Sequence, residues 1–179
     1  PYKYTETLLG LWARVMREVP GSRFLFVRPE GGTECFRRNI LQQFARHGIA
    51  ADRIEFFSNV RGRHLSEYNR IDISLDTAPQ TGGTTTCETL WMGVPVVTLV
   101  GPAPFERLSY SNLCNADLGE LCAFSAEDYV KAAVTLAGDR ARRLQLRQGL
   151  RQQIRQSPLG RTDLFVKAFL EQIEAVLGR

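Results

Sequence analysis

The 179 residues include only two histidines, His47 and His64, and four cysteines, Cys35, Cys87, Cys114 and Cys122. None of the cysteines forms a CxxC pair, so a structural zinc site is not expected. Cysteines scattered in this way suit a reducing cytosol better than a disulfide framework, and the expected compartment is cytoplasmic. No apolar run approaches the ~20 residues of a membrane span, and no signal-peptide pattern opens the chain. There is no Walker loop, no Ser-His-Asp set, no internal repeat and no low-complexity segment.

What remains is an ordinary globular composition, 44% hydrophobic and 23% charged, with a formal charge of +4. The length fits one domain, residues 1–179, with its own core. The basic excess is mild and gathers in Arg140, Arg142, Arg143, Arg147, Arg151 and Arg155. A basic helix can track phosphates. No nucleic-acid motif accompanies this one, so a solvated helix face is the better reading. Neither nucleic acid nor membrane is expected as a partner.

Along the chain, helix and strand patterns alternate. Residues 5–19 carry Leu8, Trp12, Val15 and Val19 at helical spacing, stopped by Pro20 and Gly21. Residues 23–27 read as a strand. Residues 33–47 form a second helix with Phe36, Ile40, Leu41 and Phe44 on one face, ended by Gly48. Strands follow at 54–57, 71–75 and 95–99, with a short helix at 64–69 and a helix at 84–92 stopped by Gly93. The remainder is mostly helical. A helix over 125–137 opens with Ser125 and Asp128 in a capping box. The basic helix spans 139–156, Ser157 and Pro158 break it, and a last helix over 162–177 is expected to turn Phe165, Phe169, Ile173 and Val176 inward. Short apolar strands between amphipathic helices indicate a parallel sheet covered on both faces, an α/β Rossmann-like fold with a helical C-terminal end.

An open α/β sheet usually begins with a central strand. Here a helix comes first, so a strand is expected to be missing and the chain is read as part of something longer. Chain ends are poorly ordered unless tied down, so Lys3 is expected to have no backbone anchor.

The most informative stretch is residues 76–88, DTAPQTGGTTTCE. It follows a strand and opens a helix. Gly82 and Gly83 let the backbone approach a ligand. Thr84, Thr85 and Thr86 add hydroxyls beside the free amides of the helix's first turn, which suits a diphosphate. The place, at the carboxyl end of a strand, is where open α/β sheets bind ligands. Glu88, further along the helix, can accept both hydroxyls of a ribose; a solvated Glu near a helix N-terminus reads equally well. The second stretch is residues 58–64, which rises on the same sheet edge. In it His64 can stack on a base and Arg61 can meet phosphates, although a lone His more often caps a helix. His47 sits in a helix's last turn, where it interacts with the dipole. Asp72 and Asp76 do not suit a glycosidase pair, because an anion cradle is a poor neighbour for two acids; Asp76 is expected to support the loop.

These residues also carry a likeness. The runs 73–77, 82–88 and 90–99, from Ile73 to Leu99, resemble the O-GlcNAc transferase and SPINDLY-like family, above all its bacterial members with tetratricopeptide repeats. Lys3, Leu11, Trp12, Ala13, Val19 and Pro20 near the start, and Ser157, Pro158 and Leu159 near the end, extend the resemblance along nearly the whole chain. It implies the C-terminal, nucleotide-sugar-binding lobe of a GT-B enzyme that is inverting and needs no metal or cofactor. By position, Lys3 is similar to the lysine that contacts the departing diphosphate, the catalytic position. Asn59 and Arg61 match the loop that meets base and phosphates, and His64 the histidine that stacks on the base. Gly83, Thr84 and Thr85 match the phosphate loop, where animal enzymes have His in place of Gly83. Glu88 matches an acidic ribose ligand. Ser66 and Glu67 stand where animal enzymes carry arginines. The implied donor is UDP-GlcNAc, with GDP-fucose or a non-catalytic nucleotide-binding module as alternatives. The implied acceptor is a protein or peptide held by an N-terminal lobe that this chain does not contain.

Overall fold

The computed structural model describes residues 3–58 and 64–178. Helix α1 (Glu6–Glu18) buries Leu8, Leu9, Leu11, Trp12, Val15 and Met16 on one side. Thr5 Oγ1 caps it by accepting from the Leu8 amide at 3.2 Å, and Gly21, at φ +81°, turns the chain into β1 (Phe24–Val27). Helix α2 (Glu34–Arg46) returns the chain to β2 (Ile54–Phe57), which pairs with β1 in parallel from Phe24↔Ile54 to Val27↔Phe57. Next come α3 (His64–Glu67), β3 (Ser74–Leu75), α4 (Thr84–Trp91) and β4 (Val96–Leu99). Helix α5 (Leu108–Asn115) and β5 (Cys122–Ala123) follow, then α6 (Ala126–Gly138), α7 (Arg140–Gln156) and α8 (Thr162–Leu177). Every strand pairing among the described residues is parallel, as the alternating pattern requires.

The pairings fall into two ladders, β1-β2 and β3-β4-β5, with no hydrogen-bonded link between β1 and β3. Helices α1 and α6 pack on each other and join the two halves. Around β1 the core is aromatic. Phe26 stacks on Phe56 with centroids 5.5 Å apart and meets Trp12, Phe36 and Phe44 edge-on. A polar thread crosses this core: Trp12 Nε1 donates to Tyr129 Oη at 3.0 Å, and Tyr129 Oη donates to the Asp76 carbonyl at 3.2 Å. Buried indole and phenol groups need such partners, and here they tie α1 and α6 to the loop after β3.

Four expectations are corrected. The strand read over 71–75 is only Ser74–Leu75, because the 3₁₀ turn Tyr68–Arg70 runs on into Ile71, whose amide donates to the Tyr68 carbonyl. The basic helix is not merely solvated: Arg147 donates to the carbonyls of Tyr68, Met92 and Ile71, and Arg143 to those of Leu136 and Ala137. Helix α8 buries none of its residues; Phe165 is 64% and Val176 84% exposed. Its periodicity correctly marks an apolar face, but nothing among the described residues covers it. Finally, the backbone beside Lys3 is anchored. Tyr4 pairs in parallel with Ala78, its ring packs on Trp12, Phe26 and Phe36, and Arg28 donates to its hydroxyl at 3.3 Å.

Candidate functional site

The loop between β3 and α4 is built around the Asp76 carboxylate. Oδ1 accepts from the Thr77 amide at 2.8 Å and the Gly82 amide at 3.0 Å, while Oδ2 accepts from Thr98 Oγ1 at 2.8 Å. Burial pushes the Asp76 carboxyl above its usual range, opposed by hydrogen bonds from Ser109, Thr98, Gly82 and Thr77. Asp72 lies exposed. The two acids therefore do not form a pair, and Asp76 supports the loop as expected. Thr77 Oγ1 donates to the Gln80 carbonyl at 2.6 Å and tightens the same turn.

The other half of the loop is held by α5. Ser109 Oγ donates to the Gly82 carbonyl at 2.9 Å and Asn112 Nδ2 to the Gly83 carbonyl at 3.2 Å. Thr81 is buried, with its amide and hydroxyl both donating to the Phe105 carbonyl. Drawing the carbonyls of Gly82 and Gly83 toward α5 organises the first turn of α4, where Gly83 occupies the N-cap and has no side chain to cap the helix. Ser109 and Asn112 were not anticipated. Their only signal is an i, i+3 pair of small polar residues on one helix face.

The two glycines serve different ends. A Cβ on Gly82 would stand 2.4 Å from Thr86 Oγ1, so Gly82 is required by the protein's own packing. A Cβ on Gly83 would come no closer than 3.9 Å, to Leu108 Cδ1, and otherwise points into open space. The threonines divide likewise. Thr84 and Thr85 are exposed in the first turn. Thr86 is 2% exposed, and its hydroxyl lies 2.7 Å from Ser109 Oγ, turned into the protein and away from the open side where the sequence reading put it.

His64, at the start of α3, and Glu88, on α4, meet: His64 Nε2 lies 3.7 Å from Glu88 Oε2, both side chains about one-third exposed. The base-stacking and ribose-binding candidates thus share one place. Beneath them Tyr68 is buried, and its hydroxyl, bonded to Thr89, is pushed up in pKa by burial. Lys3 adjoins the same loop through the Tyr4–Ala78 bridge. Asn59 and Arg61 lie outside the described residues. His47 caps α2, and its ring lies against Gly10 of α1, 3.4 Å from where a Cβ would sit.

A parallel α/β domain with a glycine-capped helix at a strand's carboxyl end is a Rossmann-like fold. This chain belongs to glycosyl transferase family 41, whose profile matches residues 1–169. It is 36% identical over 159 residues to the probable UDP-N-acetylglucosamine–peptide N-acetylglucosaminyltransferase SPINDLY of Eustoma exaltatum subsp. russellianum, covering 88% of this chain and 17% of that protein. It is 32% identical over 141 residues to the UDP-N-acetylglucosamine–peptide N-acetylglucosaminyltransferase of Caenorhabditis elegans, covering 77% of this chain and 12% of that one. Among solved structures, the K341M mutant of the Thermobaculum terrenum O-GlcNAc transferase superimposes with a TM-score of 0.84 and 32% identity, over 93% of this chain and 33% of that chain. The chain therefore spans about a sixth of the length of the SPINDLY relative. The Rossmann-like fold implied by the sequence resemblance is the one found.

Proposed function

We propose that this chain is the donor-binding half of a glycosyltransferase that takes N-acetylglucosamine from UDP-GlcNAc and passes it to Ser or Thr hydroxyls of proteins. The observation that carries this reading is the convergence at α4. An open glycine cap and two exposed threonines stand at its first turn, and the His64–Glu88 pair stands beside them. The diphosphate sits on the first-turn amides, the base against His64 and the ribose hydroxyls on Glu88. The names of the relatives support the choice of donor and of a peptide acceptor. No nucleic acid or membrane takes part, and among the described residues no helix is long and apolar enough to cross a membrane. The compartment in this reading is the cytoplasm.

In the reaction, the bond between the anomeric carbon and the diphosphate oxygen breaks as the acceptor oxygen bonds the opposite face, inverting that carbon. The acceptor's proton goes to a base outside this chain. Negative charge grows on the departing diphosphate, and groups placed to meet it lower the barrier. Lys3, Arg61, the hydroxyls of Thr84 and Thr85 and the α4 dipole fill that role, with no metal and no cofactor in the scheme. Ser66 and Glu67 follow His64 in place of arginines, so GDP-fucose stands as the alternative donor to be tested.

A calorimetric titration with UDP, GDP and ADP separates the donors: selective binding of UDP is expected, selective binding of GDP transfers the proposal to a fucose donor, and no discrimination overturns both. In a protein that includes the N-terminal lobe, Lys3→Ala should lower turnover far more than nucleotide affinity, read by transfer of radiolabelled sugar. Full activity of that variant removes Lys3 from the mechanism. The chain by itself should bind uridine nucleotides weakly and transfer no sugar.

A further inference from the structure

Arg147, midway along α7, directs its guanidinium to main-chain carbonyls of two other elements. Nη1 donates to the Tyr68 and Met92 carbonyls, each at 3.1 Å, and Nη2 donates to the Ile71 carbonyl. Tyr68 and Ile71 stand at the two ends of the 3₁₀ turn that continues α3. Met92 is the C-cap of α4, and its amide donates to the Glu88 carbonyl at 2.9 Å. Tyr68 lies four positions after His64, and Met92 four positions after Glu88. One guanidinium thus grips both segments about one turn beyond the two side chains that meet in the candidate site.

Tyr68 is held at its other end as well. Its hydroxyl is bonded to Thr89, the residue next to Glu88, and Thr89 Oγ1 donates to the Thr85 carbonyl at 2.6 Å. The seat of Arg147 is built closely. Gly93 takes φ +78° just past α4, where a Cβ would stand 2.6 Å from the Arg147 carbonyl oxygen and 3.3 Å from Arg147 Cδ. Helix α7 therefore lies nearer the end of α4 than a side chain there would permit. A guanidinium suits this place. Its rigid fork carries five donors and can fix several carbonyls at set angles, which an ammonium cannot, and a cation is favoured at a helix C-terminus.

We propose that Arg147 is a positioning residue of the nucleoside part of the site: through the carbonyls of Tyr68, Ile71 and Met92 it fixes α3 against α4 at the separation that lets His64 and Glu88 meet the base and ribose of one nucleoside. It touches neither the ligand nor the reacting atoms. The phosphate cradle has its own supports in Asp76, Ser109 and Asn112. Loss of Arg147 should therefore loosen the nucleoside contacts and leave the cradle standing. The consequence for binding rests on the donor site proposed above, whereas the hold on the His64–Glu88 pair does not.

The first test needs no ligand. The chain's two histidines give two ring Cε1–H resonances, and His47, against Gly10 of α1, is the internal reference. Glu88→Gln should shift the His64 resonance in the wild-type background. In Arg147→Met the same replacement should shift it by less than about half as much, with Arg147→Lys in between and His47 unmoved. If Arg147→Met does not fold, Arg147→Lys decides. No shift on Glu88→Gln, or an equal shift in all backgrounds, overturns the proposal. The second test uses the protein that includes the N-terminal lobe. There Arg147→Met should raise the donor KM by about fivefold or more with kcat within about twofold, the mark of lost ground-state binding, and Arg147→Lys should recover part of the loss. A fall in kcat at unchanged KM overturns the proposal. Absence of nucleotide binding by the wild type overturns the donor reading alone, and the ring resonances then decide for or against Arg147.

Discussion

The Gly82 amide donates to Asp76 Oδ1 at 3.0 Å, across six positions of chain, and this bond closes the loop that ends β3 and begins α4. The same oxygen holds the Thr77 amide, so one carboxylate staples both ends of the turn. Asp76→Ala leaves those amides and the Thr98 hydroxyl without their acceptor. We expect it to cost about 2–4 kcal/mol in urea unfolding. Thr98→Val, which removes only one donor, should cost less. Equal stability of wild type and Asp76→Ala would show that the loop holds itself without the carboxylate.

The glycines separate stability from binding. Gly82→Ala forces a Cβ to within 2.4 Å of Thr86 Oγ1, and overpacking of this kind costs about 1–3 kcal/mol. Gly83→Val meets no close neighbour at Cβ and should leave the unfolding midpoint almost unchanged while weakening UDP binding in calorimetry. Thr84→Ala with Thr85→Ala should act in the same direction. Unchanged affinity in both would take the diphosphate off this loop.

His64 is expected to work as a flat surface for the base. His64→Phe should keep most nucleotide affinity, while His64→Ala should lose about 1–3 kcal/mol, the range for stacking of a base on an aromatic ring. Since His64 Nε2 is 3.7 Å from Glu88 Oε2, Glu88→Gln tests the alternative. If His64→Phe and His64→Ala lose affinity equally, hydrogen bonding through that pair matters and stacking does not.

The cysteines should react in order. Burial, and then the neighbouring Cys114, push the Cys122 thiol up to about 12. The thiolate is the reactive form, and at pH 8 such a thiol is ionised to roughly one part in 10⁴. Cys35 and Cys114 are exposed. Brief iodoacetamide treatment at pH 8 should therefore label Cys35 and Cys114 before Cys122 in a peptide map. Raising the pH toward the Cys122 value should speed its labelling, and early modification of Cys122 at pH 8 would contradict the burial.

Helix α8 should contribute little to the stability of this chain. Phe165→Ser with Phe169→Ser alters exposed rings and should change unfolding free energy by no more than about 0.5 kcal/mol. Phe44→Ala, which empties a site 1% exposed in the aromatic core, should cost about 3–5 kcal/mol. A large loss on the α8 substitutions would mean that its apolar face is covered in solution.

Much of this fold is legible in short windows of sequence. Leu8, Trp12 and Val15 repeat at helical spacing, Gly21, Gly48 and Gly93 take the positive φ that stops or turns the chain, and Ser125 caps α6 by accepting the Asp128 amide, while the Asp128 carboxylate takes the Ser125 hydroxyl in place of the amide that the full capping box would use. Each of these signals is local, because backbone sterics and the first-turn amides act within a few residues. The glycine loop is legible for the same reason. Tertiary packing decided the rest. That Gly82 answers to Thr86, that Thr86 turns inward, and that Ser109 and Asn112 hold the loop carbonyls depend on bonds spanning 23 to 29 positions. The meeting of His64 with Glu88 depends on how α3 lies against α4. The exposure of α8 was decided in the same way, since a hydrophobic pattern states which face seeks cover while only the folded arrangement supplies or withholds it.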